Sequence, residues 1–303
     1  MYASDRVLIV GSVGLDSLMT PHGNVERVLG GAASHASMAA SFFAPVSMVA
    51  VVGKDFPQEY LDLFESRGID LSALEIKEGK TFFWAGEYGE DPNQAITHAT
   101  ELNVFQDFKP HLPEGHRKCA YVFLANIDPV LQFDVLDQAE AAEFVACDTM
   151  NFWIASKKDE LTEVLKRVDL VLMNDGEARM FTGKKLLVDV ADAILSLGCK
   201  YVAIKKGEHG ALLFGEGTHF SAPSFPIRQI VDPTGAGDCF AGGLMGYLAK
   251  TGDTSEPNLR SAVVYGSTIA SFNVEDFSNH RLRTLTNEEI EERFNFFAET
   301  ARF

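Results

Sequence analysis

The 303-residue chain is short of cysteine, of positive charge and of long apolar runs, and each shortage removes a class of protein. Cys119, Cys147, Cys199 and Cys239 lie far apart with no CxxC pair, so neither a zinc site nor a disulfide framework is encoded. Each sits in or beside an apolar segment and is expected to be a buried free thiol. Lysine plus arginine number 26 against 43 aspartate plus glutamate, a formal charge of -17. A field of that sign repels phosphate backbones and anionic lipid, so nucleic acid and membrane surface are not expected as partners. No apolar run approaches the ~20 residues that span a bilayer, and Met1 to Val10 has neither a basic segment nor a signal-length apolar stretch. A cytoplasmic protein is expected. GxxxxGK[ST] is absent, which excludes a P-loop NTPase, and Gly11 and Gly14 lack the third glycine of a dinucleotide-binding GxGxxG.

What is present is ordinary globular composition, 46% hydrophobic and 23% charged, at a length that suits one large α/β domain with an appendage. Unbroken apolar runs recur at Val7–Val10, Met48–Val52, Tyr121–Leu124, Phe144–Cys147, Leu170–Met173, Tyr201–Ile204 and Ala211–Phe214. Strands covered on both faces have this character. Between them, helical spacing occupies Ala32–Phe43, Gln58–Ser66, Val130–Ala139, Lys158–Val168, Val188–Leu197 and Asp238–Ala249. The alternation predicts a doubly wound, mostly parallel sheet flanked by helices. A helical end follows, with Leu259–Phe272 and a segment opened by the capping-box pair Thr286 and Glu289. His22–Val28 and Thr81–Tyr88 break the alternation and are expected to form a small β lid over the carboxyl edge of the sheet, where open α/β folds bind ligands. The predicted division is a large unit of residues 1–16, 30–80 and 110–303, with a lid of 17–29 and 81–109.

The sharpest chemical signal is Val231–Gly243, VDPTGAGDCFAGG. Gly235 and Gly237 permit backbone geometries closed to other residues, and a helical pattern begins at Asp238. A glycine turn entering a helix offers free N–H groups and the positive helix end to one anion without any lysine. Asp238 reads either as a first-turn carboxylate favoured by the dipole or as a general base beside the anion hole.

The run resembles the signature of the ribokinase-like (PfkB) carbohydrate kinases, in which a DTxGAGD segment carries the anion hole and the catalytic Asp. Further features resemble that family in order along the chain. Gly11–Asp16 (GSVGLD) is similar to its first strand and turn, Gly30 and Gly31 to the double glycine at its lid hinge, and Gly53 with Asp55 to its GxD turn. Cys147–Trp153 (CDTMNFW) is similar to its D-x-N-x-x-W segment and Asn174–Glu177 to its NxxE motif. Lys206, Gly207 and Gly210 fall at its nucleotide-side turn. The resemblance implies substrate contacts from Asp16, Gly30, Gly31 and His35, and nucleotide contacts from Lys206, Gly207, Gly210 and Asn174. It also implies Mg²⁺ organised largely through water by Glu177 and Asn174, a contribution that suits the ion. Plainer readings stand beside these: Asp16 as a turn residue before the lid, Asn174 and Glu177 as a helix cap, and Lys205 and Lys206 as solvated charges. His35 departs from the family, which commonly has Asn there in sugar-binding members. Ser271–His280 lacks the small-residue pattern that completes a monovalent-cation site, leaving Asp232 and Thr234 as partial ligands for K⁺.

The expected function is therefore ATP- and Mg²⁺-dependent phosphorylation of a hydroxyl on a small sugar, with Asp238 as base and the Gly235, Ala236 and Gly237 N–H groups holding the developing charge. The alternatives are a nucleoside kinase, favoured by Phe82, Phe83 and Trp84 in a lid strand, and a non-catalytic binding relative. Expected partners are the sugar or nucleoside, ATP, and a second copy joined through the lid.

Overall fold

The computed structural model describes residues 5–301. The chain opens with β1 (Val7–Val10), leaves the main layer for β2 (Gly14–Thr20) and β3 (Gly23–Gly30), and returns through α1 (Ala32–Ala40) to β4 (Val46–Gly53). Helix α2 (Gln58–Ser66) leads to the edge strand β5 (Ile69–Lys77), and a second excursion supplies β6 (Phe82–Tyr88) and β7 (Ala95–Glu101). Strand and helix then alternate through β8 (Tyr121–Leu124), α3 (Pro129–Gln138), β9 (Phe144–Asp148), α4 (Asn151–Ser156), α5 (Lys158–Leu165), β10 (Leu170–Asn174), α6 (Asp175–Thr182), α7 (Leu187–Leu195) and β11 (Tyr201–Lys205). The antiparallel edge β12 (Ala211–Gly215) and β13 (Thr218–Ala222) precedes α8 (Ala236–Thr251), α9 (Glu256–Asn273), α10 (His280–Thr284) and α11 (Asn287–Thr300).

The nine-stranded sheet has the order β13-β12-β11-β10-β9-β8-β1-β4-β5, parallel from β11 to β5. Every residue of β1 is fully buried because successive side chains feed opposite layers. Val7 and Ile9 join a core with α1, α8 and α9, while Leu8 and Val10 join one with α3, α5 and α7. Such burial contributes ~1.5–3 kcal/mol per large aliphatic side chain. The unbroken apolar runs are thus the central strands of a doubly wound α/β fold. Strands β5 and β13 escape the sequence pattern because each is partly exposed and carries polar residues. All four cysteines are buried and free. Among the described residues no helix is long and apolar enough to cross a membrane.

Two features of this layer position the site. The strand order turns at β1, and β1, β8, β9, β10 and β11 all end at one carboxyl edge, where polar side chains follow apolar strands. Helix α8 also lies unusually close to α1: a Cβ on Gly242 would fall 2.1 Å from the Ala36 carbonyl oxygen, and one on Gly246 2.8 Å from that of Ala40. Glycines four residues apart on one helix face admit this approach, which fixes the head of α8 over the middle of α1.

The second sheet has the order β3-β2-β6-β7. It takes in Gly14–Asp16 and Gly30, residues that the sequence assigned to the large unit. Asp16 is therefore not a turn residue before a strand; it lies inside β2, paired with both β3 and β6. Continuous polarity hid this strand, since Asp16, Ser17 and Thr20 interrupt its apolar positions. The Gly53–Asp55 turn ties both excursions to the end of β4. Asp55 Oδ1 accepts hydrogen bonds from the Thr81 N–H and hydroxyl, each at 2.7 Å, and Arg27 of β3 reaches Oδ2 at 2.9 Å.

Candidate active site

Residues 232–238 form the turn that enters α8. Gly235 is its N-cap with φ 74°, a left-handed conformation that a Cβ would strain, and a Cβ there would also lie 2.4 Å from the His35 ring. The Ala236 N–H donates to the Pro233 carbonyl at 3.2 Å. This corrects the expected three-donor hole: Gly235 and Gly237 supply the N–H groups that have no partner among the described residues. Asp238 stands in the first turn of the helix. Burial, with repulsion from Asp148 and Glu177 and opposed by Lys205, pushes its carboxyl up to about 7. A carboxylate with that affinity for protons suits a general base near neutrality.

On the donor side of this turn, the ends of β9, β10 and β11 bring Asp148, Asn174 and Lys205 together. Lys205 is not a solvated charge: its side chain is 17% exposed, and Nζ lies 2.6 Å from Asp148 Oδ2. The same Nζ lies 2.9 Å from where a Cβ on Gly237 would sit, directly against the anion turn. Asn174 and Glu177 form a complete capping box on α6, with Asn174 Oδ1 accepting from the Glu177 N–H and Glu177 Oε2 from the Asn174 N–H, both at 2.8 Å. Burial first, and then Asp148, push Glu177 up to about 7 against the pull of Lys205. The helix-capping reading is thus realised in full, and it uses only one of the two Glu177 carboxylate oxygens. Among the described residues no group of three acidic, His or Cys side chains is placed to hold a metal. A site for Mg²⁺ built from one carboxylate, water and phosphate oxygens fits this donor set, and direct ligation by both residues does not.

A cavity of about 520 Å³ adjoins these groups, lined in part by Asn93, Asn174, Lys205, Lys206, Gly207 and Glu208. Gly207 has φ 53°, and the Asn93 amide of the β6–β7 loop lies so close that a Cβ on Gly207 would meet it at 2.5 Å. Gly210, with φ 79°, accepts from the Lys206 N–H and backs onto the Ala222 carbonyl rather than lining this cavity.

The acceptor side is built from α1 and the small sheet. Asp16 is buried, its Oδ1 has no hydrogen-bond partner, and its carboxylate lies where a Cβ on Gly30 would be, 2.1 Å away. Burial, with Asp232 and Asp238 adding repulsion, pushes it up to about 8. Gly31 turns the chain into α1 with φ 92°, against the Ser12 carbonyl. His35 is 2% exposed, packed beneath Gly235 with neither ring nitrogen hydrogen-bonded. Burial pushes its imidazole down to about 4, opposed by the Asn273 side-chain amide, which lies close to the ring though outside good hydrogen-bond geometry. This neutral ring props the turn from below, a place unlike the direct substrate contact expected of it. Three polar residues near the strand ends, Tyr88, Asn126 and Thr149, were absent from the expectation. Tyr88, at the end of β6, has its hydroxyl 3.4 Å from Thr234 Oγ1 and raised to about 12, first by burial and then by Asp232, Asp16 and Asp238. Asn126, just beyond β8, has a buried Oδ1 without a partner, as does Thr149 Oγ1 just beyond β9. Their signal was available: each is polar and directly follows a buried strand at the carboxyl edge.

The oxygens offered for a monovalent cation are already engaged. Asp232 accepts from the Thr234 and Ser278 N–H groups, and the Thr234 carbonyl accepts from Asn273 Nδ2, all at 2.8 Å.

A family model described as pfkB family carbohydrate kinase matches residues 4–281. The chain belongs to the PfkB carbohydrate kinase family. It is a phosphotransferase that acts on a hydroxyl of a sugar or nucleoside. The cytidine kinase of Thermococcus kodakarensis is 34% identical over 249 residues, 80% of this chain and 88% of that protein. The nucleoside kinase of Burkholderia thailandensis, solved in complex with inosine, matches with TM-score 0.73 at 20% identity over 96% of this chain and 98% of its own. The fructokinase of Vibrio cholerae O395, bound to fructose, ADP and calcium ion, matches with TM-score 0.79 at 17% identity over 96% and 99%. Within this kinase fold, Asp238 and Asp232 lie near enough to Asp16 for their charges to repel it, while the Asp148–Lys205 pair emerges only from the contact between strand ends.

Proposed function

We propose that this kinase transfers the γ-phosphoryl group of ATP to a ribose hydroxyl of a nucleoside. The observation that carries the reaction is Asp238 at the head of α8, beside the unpartnered N–H groups of Gly235 and Gly237 and coupled electrostatically to the buried Asp16. Asp16 accepts a hydrogen bond from one acceptor hydroxyl and orients the sugar. Asp238 takes the proton of the reacting hydroxyl as its oxygen bonds to the γ-phosphorus and the bond from phosphorus to the ADP oxygen breaks. The two N–H groups and the helix end hold the charge that develops on the phosphoryl oxygens. Glu177, with Asn174 behind it, would hold Mg²⁺ through water, and the ion supplies charge neutralisation on the polyphosphate. The small sheet keeps water from competing for the phosphoryl group.

The choice of a nucleoside over a free sugar rests on Trp84. Register pairs Asp16 with Trp84 across β2 and β6, so both side chains leave the same face of the small sheet, one suited to ribose hydroxyls and one to an aromatic base. The similarity to a cytidine kinase supports the same reading. An ADP-release assay over a panel of nucleosides and free sugars tests it: turnover with at least one nucleoside well above ribose, fructose and inositol is expected. Efficient turnover of a free sugar alone would make this a sugar kinase.

A further inference from the structure

We propose that Lys205 is the side-chain cation of the phosphoryl-transfer centre, parked on Asp148 until the polyphosphate arrives. This inference rests on the kinase reading above and is independent of the acceptor. The donor side has to receive a polyanion, yet three carboxylates, Asp148, Glu177 and Asp238, crowd the Lys205 ammonium, with Lys206 lining the cavity beyond it. Backbone dipoles worth a fraction of a charge do not balance such a cluster. Lys205 sits at its centre, on β11 beside Asn174 of β10, with Nζ against Gly237 and its side chain in the wall of the 520 Å³ cavity. A small swing of Nζ from Asp148 toward the cavity keeps it on the anion turn.

Asp148 is built to hold the lysine in reserve. Its Oδ1 accepts from the Thr149 N–H at 2.9 Å, so the carboxylate keeps its orientation when Oδ2 releases the ammonium. Asp148, Glu177 and Asp238 each hold Lys205 in its charged form against the cost of burial. The ammonium therefore moves as a cation, gives up no proton, and forms no covalent bond. A buried pair serving structure alone would have no need to border both the anion turn and an open cavity; such pairs often add little to stability.

The test compares ADP with ADP plus aluminium fluoride, a mimic of the transferring phosphoryl group, by calorimetry with Mg²⁺ and an accepted acceptor. Removing both charges in Lys205→Met/Asp148→Asn leaves neither partner of the pair orphaned and takes an attraction and a repulsion from Glu177 and Asp238 together, so the melting temperature should stay near wild type. ADP affinity should fall less than about 3-fold, while affinity for the fluoride complex and kcat should each fall about 10²-fold, the scale of a lost oxyanion donor. Wild-type affinity for the fluoride complex in this variant would reduce Lys205 to a counter-ion of Asp148. Should the double variant not unfold cooperatively, Lys205→Gln, which keeps a hydrogen bond to Asp148, supports the same comparison with the same expected split. If the wild-type chain itself gains nothing from aluminium fluoride with any acceptor, the kinase reading falls and takes this inference with it. A wild-type gain that the variants share removes Lys205 alone.

Discussion

The two halves of the site are finished to different degrees. On the donor side almost every polar atom is satisfied: Asp148 holds Lys205 and the Thr149 N–H, and Asn174 and Glu177 close a reciprocal cap. On the other side Asp16 Oδ1 is buried without a partner among the described residues, as is Asn126 Oδ1 just beyond β8. Burying a polar group without a hydrogen bond costs ~1–3 kcal/mol, so atoms left in that state are rare in a folded chain and need a reason. In the reading proposed above, the donor half is pre-formed by the fold, whereas the acceptor half keeps unsatisfied groups that ligand hydroxyls would partner. A ligand that satisfies them gains what the empty protein forgoes.

The largest expected effect comes from the group between the halves. Asp238→Asn should lower kcat by roughly 10²–10⁴ while nucleotide affinity, measured by calorimetry, is retained. In the wild type, kcat/KM should rise with pH through about 7 as Asp238 loses its proton. A variant with normal turnover would mean that the acid at the head of α8 serves only the helix dipole.

Asp16→Asn sharpens the contrast most directly. The carboxyl keeps its proton up to about 8 in the folded chain against 3.8 in a model peptide, so the folded state binds the extra proton between those values. Its contribution to stability is fully present in acid and is lost as pH rises through about 8. The empty variant should therefore gain on wild type progressively as pH rises from 3.8 to about 8 and melt higher at pH 8.5, with acceptor KM raised roughly 10–100-fold, the scale of a hydrogen bond to a charged group. A lower melting temperature at pH 8.5 would show that the carboxylate stabilises the fold and is not held in reserve.

Trp84→Ala separates the acceptor classes. Stacking on a base is worth ~1–3 kcal/mol in single-strand binders, so a nucleoside should lose tens-fold in KM while a free pentose changes little. Equal loss on both would assign Trp84 to packing over Gly86 and Thr97, which it also touches. The smallest effect is expected from salt. With Asn273 Nδ2 already on the Thr234 carbonyl and two N–H groups on Asp232, exchanging K⁺ for Na⁺ at constant ionic strength should leave kcat unchanged. A several-fold activation by K⁺ would mean that the lone pairs these bonds leave free take the ion.

The central strands and the entry to α8 were legible in the sequence for local reasons. Val7–Val10 and Tyr121–Leu124 have no polar residue to place, so only a strand covered on both sides accommodates them, and PTGAGD combines positive φ with a helix start within a few residues. Strand β2 was not legible, because its apolar and polar positions mix inward-facing chemistry with packing. Asp16 looked like a turn residue and proved to be a strand residue whose carboxylate fills the space above Gly30.

The sequence by itself determined the layer architecture, the family and the place of Asp238 at the start of a helix, since periodicity and a contiguous motif depend on neighbours along the chain. Tertiary structure alone decided the rest. Lys205 and His35 carry nothing in their immediate sequence that distinguishes a solvated lysine from a buried cation or a ligand contact from a prop. Their roles follow from residues 57 and 200 positions away, Asp148 and Gly235, which only the sheet order and the close approach of α8 to α1 bring within reach. Electrostatics and packing act through space, and a buried charge acquires its meaning from whatever the fold places beside it.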